Sequence, residues 1–196
     1  MKKIVFILSV LCLSCQAGMT KEEKELIHSA STETPFRLLL TVDKEDSLFL
    51  RKQSTDIVSI KNNPDLQLFI ERLQATLEEE RGVGIASPQI GITRNVFLFT
   101  RIDKEGRPVE VAINPKIVAH SENMICFEGD GCLSIPDISG NSLRYEWIDV
   151  EYYNQNGKKI KERLEGNSRL GDFTGIIFQH EYDHLRGTLF IDKLCD

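Results

Sequence analysis

The sequence has no basic excess. Its 196 residues carry 24 Lys plus Arg against 30 Asp plus Glu, a formal charge of -6. No basic cluster with interleaved aromatics occurs either, so a nucleic-acid partner is not expected. No internal repeat and no change of composition marks a second folded domain, and one domain is the expectation at this length. Cysteine is sparse and oddly distributed. Of five cysteines, Cys12 and Cys15 fall at the very start, leaving Cys126, Cys132 and Cys195. An odd number does not make a disulfide framework, so at least one of these has another use. Whether Cys126 and Cys195 pair stays open at this point. With 41% hydrophobic residues, the chain can bury a core without relying on disulfides or structural metals.

The first residues, MKKIVFILSVLCLSCQAG, combine Lys2 and Lys3 with an apolar run from Ile4 to Leu13 and then Ser14-Cys15. A basic start, a short apolar stretch and small residues at a cut site are the parts of a secretory signal, and the apolar run is short for a membrane-spanning helix. Residues 1–14 are therefore expected to be a signal peptide. The cut site resembles that of bacterial lipoproteins, with Cys15 as the lipidated residue, although Cys12 stands where that pattern usually has Leu. Cleavage after Ala17, which leaves a soluble exported protein, is the alternative. Residues 15–35 are polar and charged and read as a tether. The expected location is the cell envelope, lipid-anchored or periplasmic, and the cytoplasm if the signal is not used.

Residues 36–196 read as one folded unit. Asn63-Pro64 starts a helix, with Asn as cap and Pro in the first turn. Leu66, Phe69, Ile70, Leu73 and Leu77 follow at helical spacing, and the helix ends before Gly82. Strands are expected at Asn95–Thr100, Val109–Ile113, Tyr145–Tyr153 and Lys158–Leu164. The last two are joined by the turn Asn154-Gln155-Asn156-Gly157, and a turn at Asp103–Arg107 precedes Val109. A final helix is expected after Asp172, as its cap, with Gly187 as its stop. Antiparallel strands packed around a C-terminal metal-binding helix make the fold class α+β.

That final helix carries FQHEYDHLRGT. His180 and His184 are four apart and lie on one face, one turn apart. Glu181, offset by one position, can reach a water held by a metal without being a ligand itself. Two core histidines with satisfied hydrogen bonds are the plain alternative. A catalytic metal needs a third ligand. Metzincin-type proteases supply a histidine shortly downstream and gluzincin types a glutamate, and neither residue occurs after His184. Asp192 is a weak candidate. Cys132, in GDGCLSIP (Gly129–Pro136), is a better one, since a thiolate binds Zn or Fe(II) well, although a lone cysteine is more often a small buried apolar residue. A third stretch, GVGIASPQIG (Gly82–Gly91), offers glycines for close backbone approach and Gln89, whose amide can donate to a developing oxyanion.

Taken together and in this order, the three stretches resemble the signatures of peptide deformylases: Gly-x-Gly-Leu-Ala-Ala-x-Gln, Glu-Gly-Cys-Leu-Ser and Gln-His-Glu-x-Asp-His-Leu-x-Gly. Here they stand as Gly82-Val83-Gly84-Ile85-Ala86-Ser87-Pro88-Gln89, Asp130-Gly131-Cys132-Leu133-Ser134 and Gln179-His180-Glu181-Tyr182-Asp183-His184-Leu185-Arg186-Gly187. The likeness covers residues 36–196 and includes Asn114-Pro115, Arg144 and the terminal GTLFIDKL. Ser87, Asp130 and Leu143 depart from it, replacing an Ala, a Glu and a frequent Pro. The resemblance implies one divalent metal held by Cys132, His180 and His184, Fe(II) by preference, with Zn, Ni or Co as substitutes. It implies Glu181 as the acid/base, and Gln89 with the Leu133 N–H as oxyanion donors. It also implies an N-formylated peptide as substrate, bound along Val83, Gly84 and Gly131, with formate released. Asp130 and Arg144 are expected to pair and support the cysteine loop. Ile177 and Phe178 are candidate walls of an apolar pocket for the first side chain, and a monomer is expected. Two other readings compete: a metalloprotease of the His-Glu-x-x-His type, and a deformylase-like protein that binds metal and peptide with reduced activity.

Overall fold

The computed structural model describes residues 18–195. The expected signal peptide and Cys15 lie outside the described residues. Four α-helices and seven strands follow one another: α1 (Lys21–Ile27), α2 (Lys44–Leu50), α3 (Pro64–Glu80), β1 (Gly84–Ala86), β2 (Val96–Thr100), β3 (Val109–His120), β4 (Met124–Cys132), β5 (Ile135–Tyr145), β6 (Trp147–Tyr153), β7 (Lys159–Glu165) and α4 (Thr174–His184). Short 3-10 helices occupy Ser87–Ile90 and Phe190–Lys193. Five strands form an antiparallel sheet in the order β1-β2-β3-β6-β7, and β4 pairs with β5 in a separate hairpin. The fold is α+β. None of the described helices is long and apolar enough to cross a membrane.

The register of β2 shows why the core is double. Val96 and Leu98 face α3, where they meet Leu66, Phe69, Ile70, Leu73 and Leu77. Phe97 and Phe99 alternate to the other face and meet Phe178 of α4, with ring centroids 4.8 and 5.2 Å apart. A strand covered on both sides needs the unbroken apolar run VFLF rather than alternation. The sheet is thus sandwiched, with α3 on one face and α4 on the other. Almost every side chain of α4 is buried, so whatever chemistry it carries is enclosed. Gly187 ends this region at φ 69°, a left-handed conformation natural to glycine, and the Arg51 backbone lies against it with no space for a side chain.

Four expectations need correction. Of the expected tether 15–35, residues 18–35 are part of the domain. Thr20 caps α1 in a reciprocal capping box with Glu23. Buried Glu23 pairs with Arg94 at 2.7 Å, and Arg72 donates to the carbonyls of Leu26, Ile27 and Thr34 at 2.8, 2.9 and 3.0 Å. These partners lie tens of positions away, so local composition carried no sign of them. The stretch around Cys132 is strand, not loop. Its polarity disguises β4 and β5, because beside Phe127 and Ile135 the buried residues are Asp130, Ser142 and Arg144, which satisfy one another. The aromatic run from Tyr145 is two strands, since β5 ends at Tyr145 and β6 starts at Trp147. Asp172 lies one residue further out than a direct cap of α4, accepting from the Thr174 N–H at 2.8 Å and its hydroxyl at 2.7 Å. Helix α2, capped by Asp43, was not expected at all.

Candidate active site and metal centre

Three elements converge at one end of a cavity of about 360 Å³. Helix α4 brings His180 and His184 on one face and Glu181 beside them. The end of β4 brings Cys132, and the turn after β1 brings Gln89. The Cys132 Sγ and one nitrogen of each histidine lie within 4.8 Å of one another, and the Sγ is 3.2 Å from His184 Nε2. A soft sulfur and two imidazoles in this arrangement suit a divalent transition metal with a coordination position left over. Asp192, the weaker candidate ligand, is taken up instead by ion pairing with Arg51 and by the Leu189 N–H.

One histidine is held from behind. His180 Nδ1 faces Asp130 Oδ1 at 3.1 Å, which turns Nε2 toward the cysteine, the carboxylate–histidine arrangement that orients metal ligands. Asp130 Oδ2 receives the Ser142 hydroxyl at 2.6 Å and Arg144 Nη2 at 2.8 Å. Arg144, itself fully buried, also donates to Asp183 of α4 at 2.6 Å. One guanidinium therefore ties the cysteine strand to the histidine helix. Burial opposes ionisation of Asp130, but His180, Arg144 and Ser142 outweigh it and hold the carboxyl well below the usual range. For His180, burial is likewise outweighed by hydrogen bonds to Asp130 and Cys132, and its pKa rises. Burial, with His180 as neighbour, pushes His184 well below the usual value, which favours the neutral form a metal requires.

Glu181 is different in kind. Its Oε2 is buried with no hydrogen-bond partner, as is His184 Nδ1. Burial raises its pKa to about 7, with smaller opposing contributions from His180 and Arg144. A buried carboxyl without a partner is costly, and it persists here at the floor of a cavity. Gly84 explains how it fits: a Cβ there would collide with the Glu181 carboxylate. Gly84 thus serves the glutamate as well as lying along the cavity wall. Gln89 is oriented by its Oε1, which accepts the Ala86 N–H at 2.8 Å. Its NH₂ consequently points into the site, 3.6 Å from Cys132 Sγ and 3.2 Å from Ser134 Oγ.

Val83, Gly131, Leu133 and Ile177 line the cavity with these groups. The Gly131 N–H is already engaged by Asp130 Oδ1 at 3.0 Å. Phe178 is not a wall of this cavity: it is wholly buried against the sheet. Phe127, Phe173 and Ile176 supply the apolar lining instead. Sequence reasoning missed them because they come from β4, the turn before α4 and its first turn, with no common spacing. It also missed Ser134, Ser142 and Asp183, although Ser134 and Asp183 stand inside the quoted signatures.

The fold and the site define a metal-dependent hydrolase: two helix-borne histidines and a strand-borne cysteine around one metal position, with a buried glutamate and an aimed amide beside it. The comparisons narrow that class to one family. Residues 37–196 match the family model of polypeptide deformylases. The peptide deformylase of Karelsulcia muelleri is 38% identical over 149 residues, covering 74% of this chain and 73% of that protein. Among solved structures, peptide deformylase from Thermotoga maritima superposes with a TM-score of 0.71 at 31% identity, over 83% of this chain and 99% of that one. A Met-Ala-Ser-bound class I type b peptide deformylase from Acinetobacter baumannii also gives a TM-score of 0.71, at 28% identity and with the same coverage. The chain belongs to the polypeptide deformylase family, whose members are metal-dependent enzymes.

Proposed function

We propose that this enzyme hydrolyses the formyl group from the N-terminus of formyl-methionyl peptides, releasing formate and a free amine. The observation that carries this is the unpartnered, buried Glu181 carboxyl beside the Cys132–His180–His184 set and the NH₂ of Gln89. Those three residues would hold one metal, proposed as Fe(II), and the same donors accept Zn, Ni or Co. When bound, the metal supplies Lewis-acid polarisation and an acidified water. Glu181 accepts the proton of the attacking water and returns it to the departing amine. The Gln89 amide, with the Leu133 N–H, donates to the oxygen on which negative charge develops. Gly84, on the outermost strand of the sheet, and Val83 just before it offer backbone to the peptide in the manner of an added strand. The cavity lined by Phe127, Phe173, Ile176 and Ile177 takes the methionine side chain. Every one of these residues comes from a single chain, and a monomer is proposed to suffice.

The proposed setting is outside the cytosol. The basic and apolar start of the chain supports this, and so does the Cys126–Cys195 disulfide, with Cα atoms 6.0 Å apart, since such bonds persist in oxidising compartments and are rare in the cytosol. Lipidation at Cys15 would hold the enzyme at a membrane surface. The decisive assay is formate release from formyl-Met-Ala by native protein taken from fractionated cells, with metal analysis of the same sample. Cleavage of an internal peptide bond without formate would overturn the proposed reaction. Recovery of the protein in the cytosol with Met1 retained would overturn the proposed location.

A further inference from the structure

Two exposed guanidinium groups stand at the mouth of the catalytic cavity without an ion pair among the described residues. Arg81 and Arg169 both line it. Other arginines are matched to carboxylates, Arg37 with Asp46, Arg51 with Asp192, Arg101 with Asp103 and Arg163 with Asp149, and those among the described residues without an ion pair, Arg72, Arg107 and Arg186, do not line this cavity. Among the described residues, no ion pair forms at Arg81 or Arg169. In a chain of formal charge -6, two unmatched cations at the entrance of one cavity require a reason.

Both are placed with some care. Arg81 follows α3 at φ 54° and ψ 33°, a left-handed position where Gly or Asn is the cheaper choice. A non-glycine residue kept there points to a use for its side chain. Arg169 lies over the Phe127 ring, 5.7 Å from its centroid, and Nη2 donates to the Gly129 carbonyl. That contact fixes the group at the rim and leaves its other N–H donors for a ligand.

The chain direction fixes how far each lies from the reaction. Glu181 touches Gly84, and Arg81 is three residues back from it, on the wall that would flank the peptide. On the facing wall Cys132 is the metal-side residue, and Gly129, which holds Arg169, is again three residues back. Three extended residues span about 10 Å. A formylated peptide with its formyl carbon at Glu181 and its backbone along these walls reaches the arginines at its second or third residue.

We propose that Arg81 and Arg169 bind a carboxylate at that distance, and hence that the enzyme favours short formyl peptides of two or three residues ending in a free carboxylate. An acidic side chain at the third position presents the same chemistry. This inference rests on the proposed deformylation and names its substrate class. It also fits a location away from the ribosome, where short released peptides are the formylated material at hand.

The test compares three substrates on the metal-loaded, full-length enzyme: formyl-Met-Ala-Ala with a free carboxylate, its C-terminal amide, and formyl-Met-Ala-Glu amide. The free acid is expected to exceed its amide in kcat/KM by about tenfold, mainly through KM, for two charge-assisted contacts at a solvent-exposed rim. Added salt should shrink that ratio. In the Arg81→Gln/Arg169→Gln double variant the acid-to-amide ratio should fall to near one. Because the ratio is taken on one protein sample, partial misfolding cancels. A preference for the Glu amide equal to that for the acid assigns the site to any carboxylate at that reach, and preference for the acid alone assigns it to the chain end. Equal turnover of acid and amide, or a preference that survives in the double variant, overturns this inference alone. No formate from any of the three overturns the proposed function as well.

Discussion

At the scale of single residues, the site combines a carboxyl without a partner and an amide fixed by one. Glu181→Gln keeps the volume and removes the proton acceptor. It is expected to lower kcat for formate release by about 10²–10⁴-fold with metal content unchanged, measured by steady-state assay and metal analysis. Gln89→Leu should cost about 10²–10³-fold in kcat with little change in KM, because the amide acts on charge that appears only in the transition state. The candidate ligand set was legible in the sequence because i, i+4 spacing on a helix is a local pattern, while Cys132, only a candidate by itself, came with the likeness of its stretch to the family signature. Arg81 and Arg169 were not legible: an exposed arginine after a helix and another in a polar loop look like ordinary surface until the fold places them on one rim. The walls of the pocket failed for a related reason. Ile177 and Phe178 are adjacent on α4 and therefore face different ways, one toward the cavity and one toward the sheet.

At the scale of elements, α4 is held by its apolar face, and the chemistry is positioned by that packing. Phe178→Ala should destabilise the fold by about 3–5 kcal/mol, read from urea unfolding, because its ring contacts Phe97, Phe99 and Tyr152 at once. A second anchor is Arg101, buried between β2 and β3 and paired with Asp103, Glu110 and Glu162. Arg101 beside Asp103 holds that carboxyl below its usual value, against a smaller opposing effect of burial. A folded-state pKa that is depressed contributes stability above the unfolded value near 3.9 and loses it as pH falls through the folded one. Arg101→Met should therefore be less stable than the wild type at neutral pH, and the gap between their melting temperatures should narrow below about pH 4. Helix α3 and strand β2 were readable because their patterns are local and apolar. The β4–β5 hairpin was not, since much of its inward side is a polar network of Asp130, Ser142 and Arg144, and α1 was not, since its fixings are Arg72 and Arg94.

At the scale of the molecule, one covalent feature encloses the rest. Cys126 and Cys195 are 69 positions apart, and Cys132, His180 and His184 all lie between them. Closing a loop of that size stabilises a fold by about 4 kcal/mol in the chain-entropy view. Reducing the bond, or replacing both cysteines with serine, should lower the urea midpoint accordingly and speed loss of metal to a chelator. The N-terminal segment is part of the same body. Glu23 and Arg94 join the first helix to the start of β2, so from Gly18 onward the segment is no spacer. The ring closed by the disulfide has one more consequence. A single protease cut anywhere from residue 127 to 194 leaves two fragments that remain bonded to each other, so a nicked enzyme still carries all three ligands on one covalent molecule. In surroundings rich in proteases, backbone damage and loss of the metal centre become separate events.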